Sequence, residues 1–179
     1  MIRPLLLLPA VFVLLVLCID LPFPGEFKTL TDIHLPISSC DSVPELNQRI
    51  IELVNQQIGK TVDRGECWDL AALVLNMTGA KWNGAYVFGR KLDHTKECVY
   101  PGDIIQFEGV RIKYNKGRTV FTETMEHHTA VIHDVKARGV FVLAHQNTGL
   151  SGRKVGLSDL DLKTIVKGKF MIYRPVGEK

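Results

Sequence analysis

The sequence has little charge of either sign to spare. Its formal net charge is only +3 over 179 residues, and its Lys and Arg residues are scattered rather than gathered in a stripe, so nothing points to nucleic acid as a partner. It has no Cys-x-x-Cys and no His-Glu-x-x-His spacing, so no motif calls for a metal or another cofactor. There is no internal repeat. With 15 Gly and 8 Pro the chain is not collagen-like, and with 23% charged and 46% apolar residues it is not a disordered chain. One domain able to bury its own core is the natural reading of this length.

The apolar content is uneven. Residues 1–21 hold 17 apolar residues. Arg3 provides a short positive start, and a 15-residue apolar run then extends from Leu5 to Ile19 and ends at Asp20. A spanning helix needs ~20 such residues, whereas the core of an export signal needs roughly 7–15. The run therefore reads as an export signal or a short uncleaved anchor, with membrane association through residues 4–19. Either way the rest of the chain lies outside the cytoplasm. No small-x-small cleavage site follows it, and Leu17 stands where a lipoprotein signal before Cys18 needs a small residue. Residues 22–41, with Pro22, Pro24, Gly25 and Pro36, read as a linker or arm. The catalytic candidate is the domain over residues 42–179.

In that domain Ser42, Pro44 and Glu45 predict a capped helix start. Leu46, Ile50, Leu53, Val54 and Ile58 then recur at helical spacing up to Gly59. A second helix is expected from about Cys67 to Met77, stopped by Gly79. It is apolar nearly all round and so should be buried at the centre. The Asn76-Met77-Thr78 glycosylation pattern lies on that helix and is set aside. Strand patterns follow at Ile104–Phe107, Thr119–Thr122, His128–Val135, Val140–Ala144 and Lys169–Tyr173, with a short helix or turn beginning at Ser158. Helices first and antiparallel strands afterwards make an α+β fold.

The chemistry-bearing residues fall in two places. Cys67 stands at the start of the second helix, beside a polar turn containing Gly65, where free backbone N–H groups favour a thiolate and can bind an oxyanion. His128 opens an apolar strand, with His127 as the adjacent alternative base. His145, Gln146 and Asn147 end the next strand. A short turn joins the two strands, so they should pair as a hairpin and bring His145 beside His128. A cysteine, a histidine and a polar orienter form a nucleophile, base and orienter set. A metal site from His127, His128, His133 and Asp103 lacks any supporting spacing. His34 and His94 sit in loops, Trp68 and Trp82 read as core, and Lys163, Lys167 and Lys169 read as a solvated face.

The order Gly65-Glu66-Cys67, Pro101-Gly102-Asp103-Ile104-Ile105-Gln106-Phe107, His128-Thr129-Ala130-Val131-Ile132 and His145-Gln146-Asn147 resembles the NlpC and CHAP superfamily of cysteine peptidases and amidases. The resemblance spans roughly residues 60–175. It implies a papain-like fold, with N-terminal helices on an antiparallel sheet or open barrel. It also implies Cys67 as nucleophile, His128 as base, His145 as orienter, and a peptide or cell-wall amide as substrate. Asp103 matches a structural acid. Many members carry Asp-Cys-Ser where this chain has Glu66-Cys67-Trp68. Two other classes stay open: a catalytically silent wall-binding domain on the same fold, and an enzyme acting on acyl or lipid esters. With Cys18 assigned to the leader and Cys67 to chemistry, parity and an oxidising compartment leave Cys40 and Cys98 as a disulfide pair.

Overall fold

The structure, a computed structural model, describes Cys40 and residues 42–177. The N-terminal apolar run, Cys18, His34 and nearly all of the arm lie outside the described residues. Among the described residues no helix is long and apolar enough to cross a membrane.

Helix α1 (Glu45–Gln57) and helix α2 (Asp69–Thr78) precede the strands β1 (Ala80–Lys81), β2 (Arg90–Lys91), β3 (Ile104–Lys116), β4 (Thr119–Ala137), β5 (Val140–His145), β6 (Gly156–Asp161), β7 (Ile165–Arg174) and β8 (Val176–Gly177). Six strands form one sheet in the order β2-β7-β3-β4-β5-β6, and β1 pairs with β8. All the strand pairs are antiparallel. This is the expected α+β architecture, with two helices packed on a mostly antiparallel sheet.

The helices differ from expectation at their starts. Ser42 does not cap α1. Pro44 occupies the cap position without a side-chain hydrogen bond, and its carbonyl accepts the first helical bond, from the N–H of Gln48. Helix α2 begins at Asp69, so Cys67 lies in the turn before it. The reason is Asp69 itself, whose buried carboxylate accepts from the N–H groups of Arg64 and Glu66 and from the Arg64 guanidinium. That folds residues 63–66 into a tight turn instead of a helical one. Helix α2 ends as expected at Gly79, whose φ of 68° supplies the left-handed cap.

The two faces of the sheet bury different residues, as alternation requires. Ile104, Val131, Ala144 and Tyr173 pack with Ile50 and Val54 of α1 and with Leu70, Val74 and Leu75 of α2. Ile105, Phe107, Ala130, Ile132, Phe141, Leu143 and Ile172 form the core on the other face. Thr119–Thr122 and His128–Val135, expected as separate strands, are parts of one 19-residue strand. The polar residues between them are strand because β3 pairs with them from Lys116↔Thr119 to Ile104↔Val131, a tertiary override of weak local propensity. The segment around Ser158 belongs to strand β6, paired on β5. A short 3-10 turn follows it at Leu162–Thr164.

Two polar devices hold the frame. The buried Asp103 carboxylate pairs with Arg174 at 2.7 Å and accepts from the Asn47 amide and the Tyr100 N–H at 2.9 Å each, tying α1, the 100–103 turn and β7 together. Cys40 and Cys98 form a disulfide with their Cα atoms 5.5 Å apart. Closing a loop of that sequence separation of 58 contributes about 4 kcal/mol in the chain-entropy picture. Cys67 is the free cysteine among the described residues.

Candidate active site

The register of β4 and β5 decides the geometry. Val131 pairs with Ala144 and Ile132 with Leu143, so His145 lies next to Ala130 and projects on the same face as His128. The two imidazoles meet there, His128 Nε2 to His145 Nδ1, at 2.9 Å. His145 Nε2 in turn lies 2.8 Å from the Ser158 hydroxyl on β6. For His128 Nδ1 to accept a proton, Nε2 must carry one and donate it to His145 Nδ1. His145 Nε2–H then donates to Ser158. The three side chains thus form a line that leaves His128 Nδ1 unused.

Burial sets the protonation of this line. His128 is 7% and His145 4% exposed. Burial pushes the His128 imidazole down to about 4. Burial, then the nearby His128, pushes His145 down to about 3. Both rings are neutral at pH 7.

Cys67 lies across the cavity. Its thiol donates to the His127 carbonyl of β4 at 3.7 Å. Burial raises the thiol pKa above the ordinary range. The Thr129 N–H opposes that, the Glu66 carboxylate adds to it, and the N–H groups of Cys67 and Trp68 oppose it more weakly. The expectation of a helix-stabilised thiolate is therefore corrected. The helix starts two residues later, and desolvation outweighs the three N–H groups that face the sulfur. The resting pair is a thiol and a neutral imidazole.

Cys67, His128, His145, Asn147 and Ser158 line one cavity of about 370 Å³. Its outer wall comes from residues 123–127 of β4 and from Thr148–Leu150. A second cavity, about 450 Å³, lies beside the Cys40–Cys98 disulfide against Val99, Val135 and Phe141. The cysteines on its wall are tied in that disulfide, so it brings no free thiol to a histidine.

Residues 44–179 match the family described as the AIM3/BBC1 cysteine proteinase-fold domain. The chain belongs to that family. Its fold is thereby that of the papain-like cysteine proteinases. Two solved structures are similar to this cysteine proteinase-fold chain. One is described as the crystal structure of Ly7917, 15% identical, covering 71% of this chain and 62% of that one, with a TM-score of 0.42. The other is described as Ly7917 with the hydrolyzing product of MDP, 17% identical, covering 72% of this chain and 63% of that one, with a TM-score of 0.42. The chain spans less than two thirds of either. No curated protein sequence matches it.

The other expected site residues have partners of their own, although His127 and Asn147 also line the cavity. His127 turns to the opposite face from His128, where its Nδ1 meets Glu108 at 2.7 Å and Tyr86 packs edge-on against its ring at 3.9 Å between centroids. Gln146 is fully buried and braces the turn before Cys67. Its amide oxygen accepts from Val62 N–H, and its amide nitrogen donates to the Val62 and Glu66 carbonyls. Asn147 donates to the Glu66 carboxylate at 3.0 Å. His133 meets Asn55, and Asp103 meets Arg174. The four residues weighed as a metal site therefore point to four different partners, and among the described residues no group of three ligating side chains is placed to hold a metal. Ser158 escaped the sequence reading, because a lone serine carries no spacing signal and its strand was read as a turn. Its alternation with Leu160, a core residue on the same face, is the signal that would have found it.

Proposed function

We propose that the domain is a thiol-dependent hydrolase of amide bonds, with Cys67 as nucleophile, His128 as base and His145 as orienter. One observation carries the reading: Cys67 and the His128–His145 pair line a single cavity, with His128 Nδ1 the ring nitrogen left for the thiol. In acylation the Cys67 proton passes to His128 Nδ1 as Sγ attacks the carbonyl carbon. The backbone N–H of Cys67 donates to the oxyanion. The C–N bond then breaks, the amine leaves with the His128 proton, and a thioester remains. Water attacks the thioester carbonyl, giving up a proton to His128. The acid is released, and the proton returns to Cys67. His145 accepts from His128 Nε2–H throughout, which fixes the ring and stabilises the transient imidazolium.

The NlpC/CHAP-like motifs support a peptide or cell-wall amide as substrate, and the apolar run at residues 4–19 supports action outside the cytoplasm, secreted or anchored. A second reading has its own observation. A raised thiol and two lowered imidazoles suit a silent peptide-binding or wall-binding domain as well as an enzyme that activates its thiol only with substrate in place.

Mass spectrometry of the chain after incubation with candidate amides and thiol-directed activity probes tests the reading. A covalent adduct on Cys67, together with loss of turnover by at least ~10³-fold in Cys67→Ala, is expected. Inhibition by chelator and not by iodoacetamide would sink the cysteine mechanism. Ligand binding without turnover in the unmodified chain, unchanged in Cys67→Ala, would establish the silent domain instead.

A further inference from the structure

The sheet outruns its helices. Along β7, Tyr173 and Met171 pack in the helix-side core, and Lys169 and Lys167 continue the same face by alternation. Register places Lys169 opposite Glu108 and Lys167 opposite Arg111 of β3, and Lys113 follows two residues on. Beyond Ile112↔Ile165 strand β3 loses β7, and β4 pairs with β5 only from Val131 onward. Residues 113–122 therefore pair only with each other, as a projecting hairpin whose turn carries Arg118.

Arg111, Lys113, Arg118, Lys167 and Lys169 are all exposed, and among the described residues none of them forms an ion pair. Like charges placed directly opposite, as Arg111 and Lys167 are, destabilise a sheet. Of the carboxylates near this face, Glu108 is taken by His127. Glu123 is directed to the other side, where Tyr114 donates to it at 2.7 Å. Beside the cations stand apolar side chains that the fold leaves in water. Val120, on this face through its register with Asn115, is 64% exposed, and Val166, next to Lys167, is 56% exposed.

We propose that this end of the sheet docks on a membrane surface containing anionic lipid. Arg111, Lys113, Arg118, Lys167 and Lys169 meet the headgroups, and Val120, with Val166 beside Lys167, enters the boundary with the acyl chains. The charge complements an anionic surface, and apolar residues on a projecting, cation-flanked turn are what an interfacial element needs. A track for single-stranded nucleic acid would instead be a groove with cations along it and rings for bases to stack on. Residues 123–127 run from this hairpin directly into the wall of the Cys67 cavity. Docking thus sets the cleft at the bilayer surface, within reach of amphipathic or lipid-linked substrates. The docking itself does not depend on Cys67 turning anything over.

The full chain carrying Val120→Trp tests this at the hairpin itself, so that membrane attachment through residues 4–19 does not mimic the result. The readout is tryptophan emission and quenching by brominated lipid, compared with the parent chain, which has Trp68 and Trp82. Vesicles of phosphatidylcholine alone are compared with vesicles that also contain phosphatidylserine. A blue shift and quenching specific to the anionic vesicles, weakened by salt, are expected. Combined Arg111→Glu, Lys113→Glu, Lys167→Glu and Lys169→Glu should weaken the response by roughly 100-fold or more in lipid concentration. Val166→Ser, which leaves the charge intact, should weaken it about tenfold or less. An unchanged melting temperature certifies that the substituted chains are folded. No shift with anionic vesicles, an equal shift with neutral ones, or a response that survives the four reversals overturns the proposal. Retention of an oligonucleotide by this face, with no vesicle response, overturns it in favour of nucleic acid.

Discussion

Residues 128–132 of β4 and residues 119–127 of the same strand obey one hydrogen-bonding rule and share little else. In the first stretch both faces are buried: His128, Ala130 and Ile132 face one core, and Thr129 and Val131 face the other side. In the second, nearly every side chain reaches water. Cys67 sits at the junction, its sulfur against the carbonyl of His127, the last exposed residue before His128. The comparison explains why the proposed base stands at this one position. One step further along the strand a histidine would be sealed in the core, and one step back it pairs with a surface glutamate, as His127 does.

The contrast can be broken most forcefully from its buried side. Asp103→Ala leaves the Arg174 guanidinium, only 16% exposed, without its carboxylate partner. It should cost about 3–5 kcal/mol in urea unfolding, whereas Arg111→Ala on the exposed stretch of β3 should stay within about 0.5 kcal/mol. Equal costs would remove the distinction.

Acid should act on the same side. The unfolded chain protonates its histidines below about 6.5, while native His128 resists down to about 4. Between those values the unfolded state holds more protons, so stability falls as pH drops through that window, and the His145 contribution continues to fall toward about 3. The loss for His128 alone is about 3 kcal/mol. A flat profile between pH 6.5 and 4, measured by denaturant titration, would mean that the histidine pair is hydrated.

Ser158→Ala removes the group that ends the line from His128. It should cost ~1–3 kcal/mol, because His145 Nε2 is left unpaired in a buried site. It should also move the His128 and His145 ring-nitrogen NMR shifts, which a loss of packing alone would not do. Ser158→Thr, keeping the hydroxyl, should restore them. A small effect belongs to the projecting hairpin. Phe121→Ala removes the stacked contact with Tyr114, 5.4 Å between centroids, and should change the melting free energy by less than ~1.5 kcal/mol. A larger loss would show that the hairpin is part of the core after all.

Much of the fold was legible because it is written in local periodicity. The apolar spacing of Leu46, Ile50 and Val54 gives α1, the continuous apolar stretch from Leu70 gives the buried α2, and the short turn at Gly139 gives the hairpin that puts His145 beside His128. The boundaries were less legible. The start of α2 is set by the buried Asp69 carboxylate, and the polar middle of β4 is strand only because β3 lies alongside. At the site, the residue types and the shared face of His128 and His145 could be read. The buried support by Gln146 and the hydroxyl of Ser158 could not, since each acts across more than ten residues of sequence.

What the sequence determined by itself is therefore the alphabet of the molecule: which residues pack, which alternate, which can carry chemistry, and which two cysteines remain to pair. Tertiary structure decided the rest. Desolvation is a property of everything that surrounds a group, so only the folded chain could turn an expected thiolate into a thiol and two ordinary histidines into neutral ones. Register likewise brings residues together over long sequence separations. That is why Lys and Arg residues that look scattered along the chain, at 111, 113, 118, 167 and 169, end on one uncovered face of the sheet.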